Sequence, residues 1–293
     1  MRKYFGEIGL FITAIIWGSG FVASSISLVH YTAYQNMAVR FLIGGLILSF
    51  IFYKKLTSIR KNMILKGVLL GSILYLAFAL QTVGLQFTTP SKNAFLTAVN
   101  VVIVPFIGFL LYKKKLDKYE LTGAVLAMTG IGFLSLKLSM EINFGDFLSL
   151  LCAFAFAFHI FYTAKFVKDE DPIVLTIIQM WTAAFLGFAV ILFRGEIAMP
   201  VTDGAILPLL YLGIFSTALC FLLQTSAQKF ISETKAAIIL STESFWGMIF
   251  SIAILGEVIT LKMAIGAALI LLAIMISETK PRLLKVRPVR EKI

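Results

Sequence analysis

Ionisable side chains are rare inside the long apolar runs of this 293-residue chain, and the few that occur are where chemistry has to be sought. A charge at the centre of a lipid-spanning helix costs at least about 2.5–3.5 kcal/mol, so it normally faces a cavity or a partner. Glu243 stands midway along one such run. Its carboxyl suits a proton carrier or the counter-ion of a cation, with a structural hydrogen bond between helices as the competing reading. Asn100, 143 positions earlier, stands midway along a run of its own. His159 lies in a third run, and an imidazole titrates near physiological pH. Tyr162, three residues on, shares its helical face. The competing reading of His159 is a packed, hydrogen-bonded residue. Arg40 could hold a substrate carboxylate, pair with an acid, or snorkel its head to the membrane surface. Trp17, Tyr75, Gln81, Gln179, Trp181, Gln224 and Trp246 are uncharged candidates to line a cavity, where aromatic faces suit organic cations or flat metabolites. Lys92 and Lys235 read as helix-edge residues.

Other chemistries lack their residues. No Gly-rich phosphate loop with a following Lys-Ser or Lys-Thr occurs, so ATP is not expected to drive the protein directly. With two histidines, no metal-spaced ligand pair and no Ser-His-Asp or HExxH arrangement, an enzyme is a remote reading and no cofactor or metal is expected. Nothing reads as a selectivity filter, which makes a channel remote too. Cys152 and Cys220 fall in apolar runs and read as packed thiols.

The elements that must position these residues follow from composition. Hydrophobic residues make up 59% and charged residues 14%, against about 25% charged in soluble domains. About 20 apolar residues cross a bilayer. Ten runs qualify: residues 7–29, 34–53, 63–86, 91–112, 118–136, 145–166, 173–193, 204–226, 234–255 and 261–277. The first, preceded by Arg2-Lys3, is read as a retained helix. The net charge of +11 lies in short loops and the tail, so it reports topology and not nucleic acid. With the N-terminus inside, all but Arg40, Lys92, Lys137, Arg194 and Lys262 of the 26 basic residues fall on the cytoplasmic side, including the Lys113-Lys114-Lys115 turn. The positive-inside rule then puts both termini in the cytoplasm.

The chain also repeats. A shift of 143 positions pairs Leu80-Gln81-Thr82 with Leu223-Gln224-Thr225, Phe87 with Phe230, Lys92 with Lys235, Ala94 with Ala237, and Gly123-Ala124 with Gly266-Ala267. Five helices per copy is an odd number, so the second copy must enter the membrane inverted. The expected fold is an all-α polytopic membrane protein of ten helices in two inverted five-helix repeats, residues 1–140 and 141–279, with a basic tail over 280–293. Inverted repeats of this kind rock around a site near the midplane in secondary transporters.

Trp17-Gly18-Ser19-Gly20-Phe21-Val22 and Arg40-Phe41 resemble the opening motifs of the EamA branch of the drug/metabolite transporter superfamily. Asn93-Ala94-Phe95-Leu96-Thr97 through Val104-Pro105 is similar to its fourth helix. Glu243-Ser244-Phe245 with Leu255-Gly256-Glu257 resembles its ninth, and Gly266-Ala267-Ala268-Leu269-Ile270 its tenth. Two features depart from the pattern: Lys113-Lys114-Lys115 replaces a common Gly-Glu turn, and Glu243-Ser244 stands where many members have a proline after the first residue. The resemblance implies a carrier of small polar or amphipathic metabolites (amino acids, amines or drug-like compounds), often an exporter, in a bacterial inner membrane. Its expected partners are a small-molecule substrate, the lipid bilayer and protons moved through Glu243 or His159. A facilitative exchanger or uptake carrier is the alternative, and a homodimer is left open.

Overall fold

The computed structural model describes residues 2–113, 118–135, 143–199 and 203–279. Lys114, Lys115, Lys137 and the tail from residue 280 onward lie outside them. Among the described residues every regular element is helical: α1 (Arg2–Ser27), α2 (Ala33–Ile51), α3 (Lys61–Leu85), α4 (Pro90–Ala98), α5 (Asn100–Tyr112), α6 (Lys118–Ser135), α7 (Phe144–Phe166), α8 (Pro172–Arg194), α9 (Asp203–Tyr211), α10 (Cys220–Gln228), α11 (Glu233–Ser241), α12 (Glu243–Leu255) and α13 (Leu261–Thr279). A 3₁₀ segment, Tyr53–Ser58, follows α2, and a π-helical segment, Leu212–Leu219, joins α9 to α10. Among the described residues eight helices are long and apolar enough to cross a membrane, counting α4–α5, α9–α10 and α11–α12 as one each. The expected fifth and tenth spans hold shorter apolar stretches, Leu121–Phe133 and Leu261–Ile276.

Local chemistry sets where the helices start and stop. Thr32 and Gln35 form a reciprocal cap on α2. Asp171 caps α8 ahead of Pro172, a residue whose missing N–H costs nothing at a first helical position. Thr89 and Ser232, 143 positions apart, cap α4 and α11 through the amides of Lys92 and Lys235. At the other ends of these paired spans Lys113 and Gly256 both turn left-handed, at φ +53° and +66°. Glycine does this freely, whereas an L side chain is strained there.

Small residues carry the closest helix contacts, as expected where lipid gives no hydrophobic drive between helices. A Cβ on Gly18 would sit 2.8 Å from the Gly247 amide nitrogen, one on Gly145 would sit 2.5 Å from the Gly84 carbonyl, and one on Gly130 would sit 2.8 Å from the Gly266 carbonyl. These contacts join α1 to α12, α3 to α7 and α6 to α13. One apolar core lies among α5, α6, α7 and α13. A second lies among α2, α3, α7, α8 and α10. Polar side chains collect where α1, α2, α3, α5, α7, α10 and α12 approach one another.

Candidate functional site

Two interruptions in otherwise regular helices build this site. The spans α4–α5 and α11–α12 each tighten at one residue, Val99 and Thr242, again 143 positions apart. The main-chain bonding is the same in both. The Val99 amide donates to Leu96 and the Thr242 amide to Ile239, both at 3.3 Å, while the Val99 carbonyl accepts from Val102 and Ile103 and the Thr242 carbonyl from Phe245 and Trp246. The first residue after each interruption is Asn100 or Glu243. Both side chains reach one internal cavity, and both are only 6% exposed.

The cavity is walled by α1 (Trp17, Gly20, Phe21, Ser24), α2 (Arg40), α3 (Phe78, Gln81, Thr82, Leu85), α7 (Phe156, Ile160) and the second-half residues Ser216, Gln224, Leu240 and Glu243, besides Asn100. Its free volume is about 40 Å³, room for a few waters when one needs about 10–15 Å³ of this measure. A metabolite therefore requires the surrounding helices to part.

Arg40 is 2% exposed, so it does not snorkel. Its Nε donates to Thr217 Oγ1 at 2.9 Å and its Nη2 to Ser216 Oγ at 3.0 Å. The guanidinium carbon stands 4.5 Å from the centre of the Phe78 ring. Both hydroxyls belong to the π-helical segment, a local widening often found at functional positions. The same segment offers the Ser216 carbonyl, which accepts from Trp17 Nε1 at 2.8 Å. Glu243 has no hydrogen-bond or ion-pair partner among the described residues. Gln81 donates to Thr97 Oγ1 at 3.3 Å, while the carbonyl oxygens of Asn100 and Gln224 are buried and unpartnered.

The cavity thus gathers Trp17, Arg40, Gln81, Asn100, Gln224 and Glu243 from the sequence candidates. The other six lie off it, each for a visible reason. His159 is fully buried, with Nε2 2.7 Å from Gln179 Oε1, and it packs edge-on to Phe221, which in turn packs on Trp17 and Phe78. His159 and Gln179 therefore face one another instead of the cavity, with His159 Nδ1 and Gln179 Nε2 left buried and unpartnered. Tyr75 is half-buried within the second core. Tyr162 stacks among Phe158, Phe161 and Phe166. Trp181 is 40% exposed and donates to Ser49. Trp246 packs with Phe11, Phe245 and Phe250.

The sequence reading missed Ser216, Thr217 and Thr82. Thr82 stood in plain view, since Gln81-Thr82 repeats as Gln224-Thr225. Ser216-Thr217, a hydroxyl pair in the middle of an apolar run, was the only sign of an Arg40 partner.

Ion pairs flank the site. Lys92 reaches the fully buried Asp146 at 3.3 Å, and Thr88 also donates to that carboxylate. Lys235, 143 positions later, reaches Glu7 at 2.5 Å. The pairs tie the start of α4 to the start of α7, and the start of α11 to the start of α1. Elsewhere Lys55 and Lys66 pair with Asp171 and Glu170 in the turn before α8. Burial works against the charged form of Asp171, but hydrogen bonds from Lys55 and the Ile173 and Val174 amides outweigh it and hold the carboxyl below its ordinary range. Among the described residues no group of three or more His, Cys, Asp or Glu side chains could hold a metal ion.

A sequence profile of the EamA-like transporter family matches the chain twice, over residues 4–136 and 143–279. A protein described as an uncharacterized transporter of Archaeoglobus fulgidus is 32% identical over 276 residues, spanning 94% of this chain and 86% of its own. The uncharacterized transporter YoaV of Bacillus subtilis is 24% identical, spanning 90% and 93%. One protein of known crystal structure shares the fold, with a TM-score of 0.71 at 14% identity over 94% of this chain and 97% of its own.

Proposed function

The chain belongs to the EamA-like transporter family, and on that premise we propose a secondary transporter that moves a small polar or amphipathic metabolite by alternating access. The observation that carries this reading is the matched pair of interrupted spans, each delivering one polar side chain, Asn100 or Glu243, to a shared buried cavity. Interrupted helices meeting at the midplane are how carriers place binding groups between two rocking halves.

In this reading ten helices form two inverted repeats, residues 1–140 and 141–279, followed by a cytoplasmic basic tail over 280–293. Both termini face the cytoplasm of a bacterial cell, and the protein sits in its inner membrane. The double profile match and the recurrence of caps, interruptions and left-handed ends at one offset support the repeat. Under inversion the Lys92–Asp146 and Lys235–Glu7 pairs lie on opposite membrane faces. Each holds one end of the cavity shut, and the cycle breaks them in turn.

The reading also makes the protein an exporter coupled to protons. Glu243 is the coupling residue, because it is the one carboxyl among the cavity-lining side chains and has no partner among the described residues to satisfy it. A ligand that binds the folded state raises its thermal stability by mass action. Thermal shifts on purified protein with amino acids, amines, nucleosides and sugar phosphates, followed by counterflow in reconstituted vesicles, test the reading. Saturable flux of a stabilising compound supports it. Vesicles that show only linear, unsaturated leak for every stabilising compound overturn it.

A further inference from the structure

Among the described residues Arg40 is a buried cation without a counter-ion. It lies in the middle of α2 and carries the only guanidinium of the cavity wall. Its two hydrogen bonds go to neutral hydroxyls, Thr217 Oγ1 and Ser216 Oγ. No carboxylate among the described residues pairs with it, and Glu243, on the same cavity, is not bonded to it. A buried charge is normally paired with an opposite one, because desolvation is otherwise uncompensated. Here two hydroxyls and the face of Phe78 hold the side chain in place while leaving its charge unmatched. The π-helical widening at Leu212–Leu219 is what presents both hydroxyls to it.

Resting on the transporter reading, we propose that Arg40 is the anchor for a carboxylate on the transported molecule, so that the substrate itself supplies the missing counter-ion. A guanidinium fork matches a planar carboxylate with two parallel N–H donors, and Nε and Nη2 each already point at fixed hydroxyls, which locks the plane of the fork. A single negative charge fits better than two. The site offers one cation, and the carboxyl of Glu243 borders the same space, so a phosphate dianion would bring an unmatched charge with it. The rest of the molecule meets Trp17, Phe21, Phe156, Ile160 and Leu240. It is therefore apolar or aromatic near the carboxylate, with any ammonium turned toward Glu243.

The test uses matched acids and amides on the purified full-length protein: benzoate, phenylacetate and L-phenylalanine against benzamide, phenylacetamide and L-phenylalaninamide, with inorganic phosphate alongside. Thermal shift and quenching of Trp17 fluorescence, in a Trp181→Phe, Trp246→Phe background, report binding. The expected result is that at least one acid binds and its amide binds at least about tenfold more weakly, the least that losing a charge-assisted hydrogen bond costs. Arg40→Gln, which keeps donors for Thr217 and Ser216, loses that acid preference while retaining the fold, and Arg40→Lys keeps part of it. Equal binding of acid and amide, an unchanged preference in Arg40→Gln, or tighter binding of phosphate than of any acid overturns the assignment. Failure of the transporter reading looks different: no compound, acid or amide, then shows saturable flux in vesicles.

Discussion

The spans α4–α5 and α11–α12 have the same backbone and different chemistry. Each starts at a hydroxyl cap, tightens ten residues later and ends left-handed, at positions 143 apart. Yet the first delivers a neutral amide, Asn100, to the cavity and ends on a strained Lys113, whereas the second delivers an acid, Glu243, and ends on Gly256. The halves differ again one helix earlier. α3 is unbroken, but its counterpart widens into the π-helical segment that receives Arg40 and Trp17. The two spans share their main-chain geometry, and the second half carries most of the departures that make the cavity chemically specific. Two equivalent scaffolds need not share the work equally.

Substitutions at paired positions break or sharpen this contrast. The largest effect belongs to the midpoint pair. Glu243→Gln should reduce proton-coupled flux by about a hundredfold, the size of one lost charged contact of nearly 3 kcal/mol, while Asn100→Ala should cost only about tenfold, a neutral contact's share. Flux in vesicles with and without a pH gradient measures both, and equal losses would erase the distinction between the halves.

The flanking ion pairs come next. Lys92→Ala leaves Asp146, fully buried, with only Thr88 to satisfy it, and should lower stability by about 2–3 kcal/mol. Lys235→Ala removes a pair whose members are 41% and 25% exposed and should cost less than about 1 kcal/mol after solvent screening. Thermal unfolding in detergent compares them. A larger loss at Lys235 would contradict the burial argument.

Asp171→Ala removes a helix cap and should cost about 1 kcal/mol, with the exposed pairing to Lys55 adding little. The folded carboxyl lies below its ordinary range. Its stabilisation is therefore complete above about pH 3.9, the unfolded value, and is lost as pH falls through the lower folded value. Unfolding midpoints of wild type and variant should converge in acid, and a constant gap down to the lowest pH would refute the linkage. The smallest change sharpens the comparison: Lys113→Gly makes the first turn like the second and should stabilise by up to about 1 kcal/mol, relieving left-handed strain, as a rise in unfolding temperature would register.

Much of this arrangement could be read from residues alone. Hydropathy marks helices to within a few positions, because a span must be apolar along its length whatever it packs against. The 143-residue offset and the places of Asn100 and Glu243 midway along apolar runs can be read from the sequence directly. The interruptions at Val99 and Thr242 were not, since neither residue is a helix breaker and only tertiary packing decides that the turn tightens there. The π-helical segment was equally hidden. No residue in Leu212–Leu219 demands it, although Pro208 precedes it. Side-chain direction was the weakest inference. His159 and Gln179 are polar and central, and they turn toward each other. Trp181 is large and aromatic, and it faces outward. Mid-helix polarity locates depth, but which face looks inward depends on neighbours that the local pattern does not encode.

In the proposed cycle Glu243, delivered by the second interruption, couples a substrate to protons across the shared cavity. The direct test records substrate and proton movement together in vesicles bearing wild type or Glu243→Gln, with a pH-sensitive dye inside. The expected result is that substrate entry shifts internal pH with the wild type, whereas Glu243→Gln exchanges substrate without any pH change. Proton movement at the wild-type ratio in Glu243→Gln would contradict it.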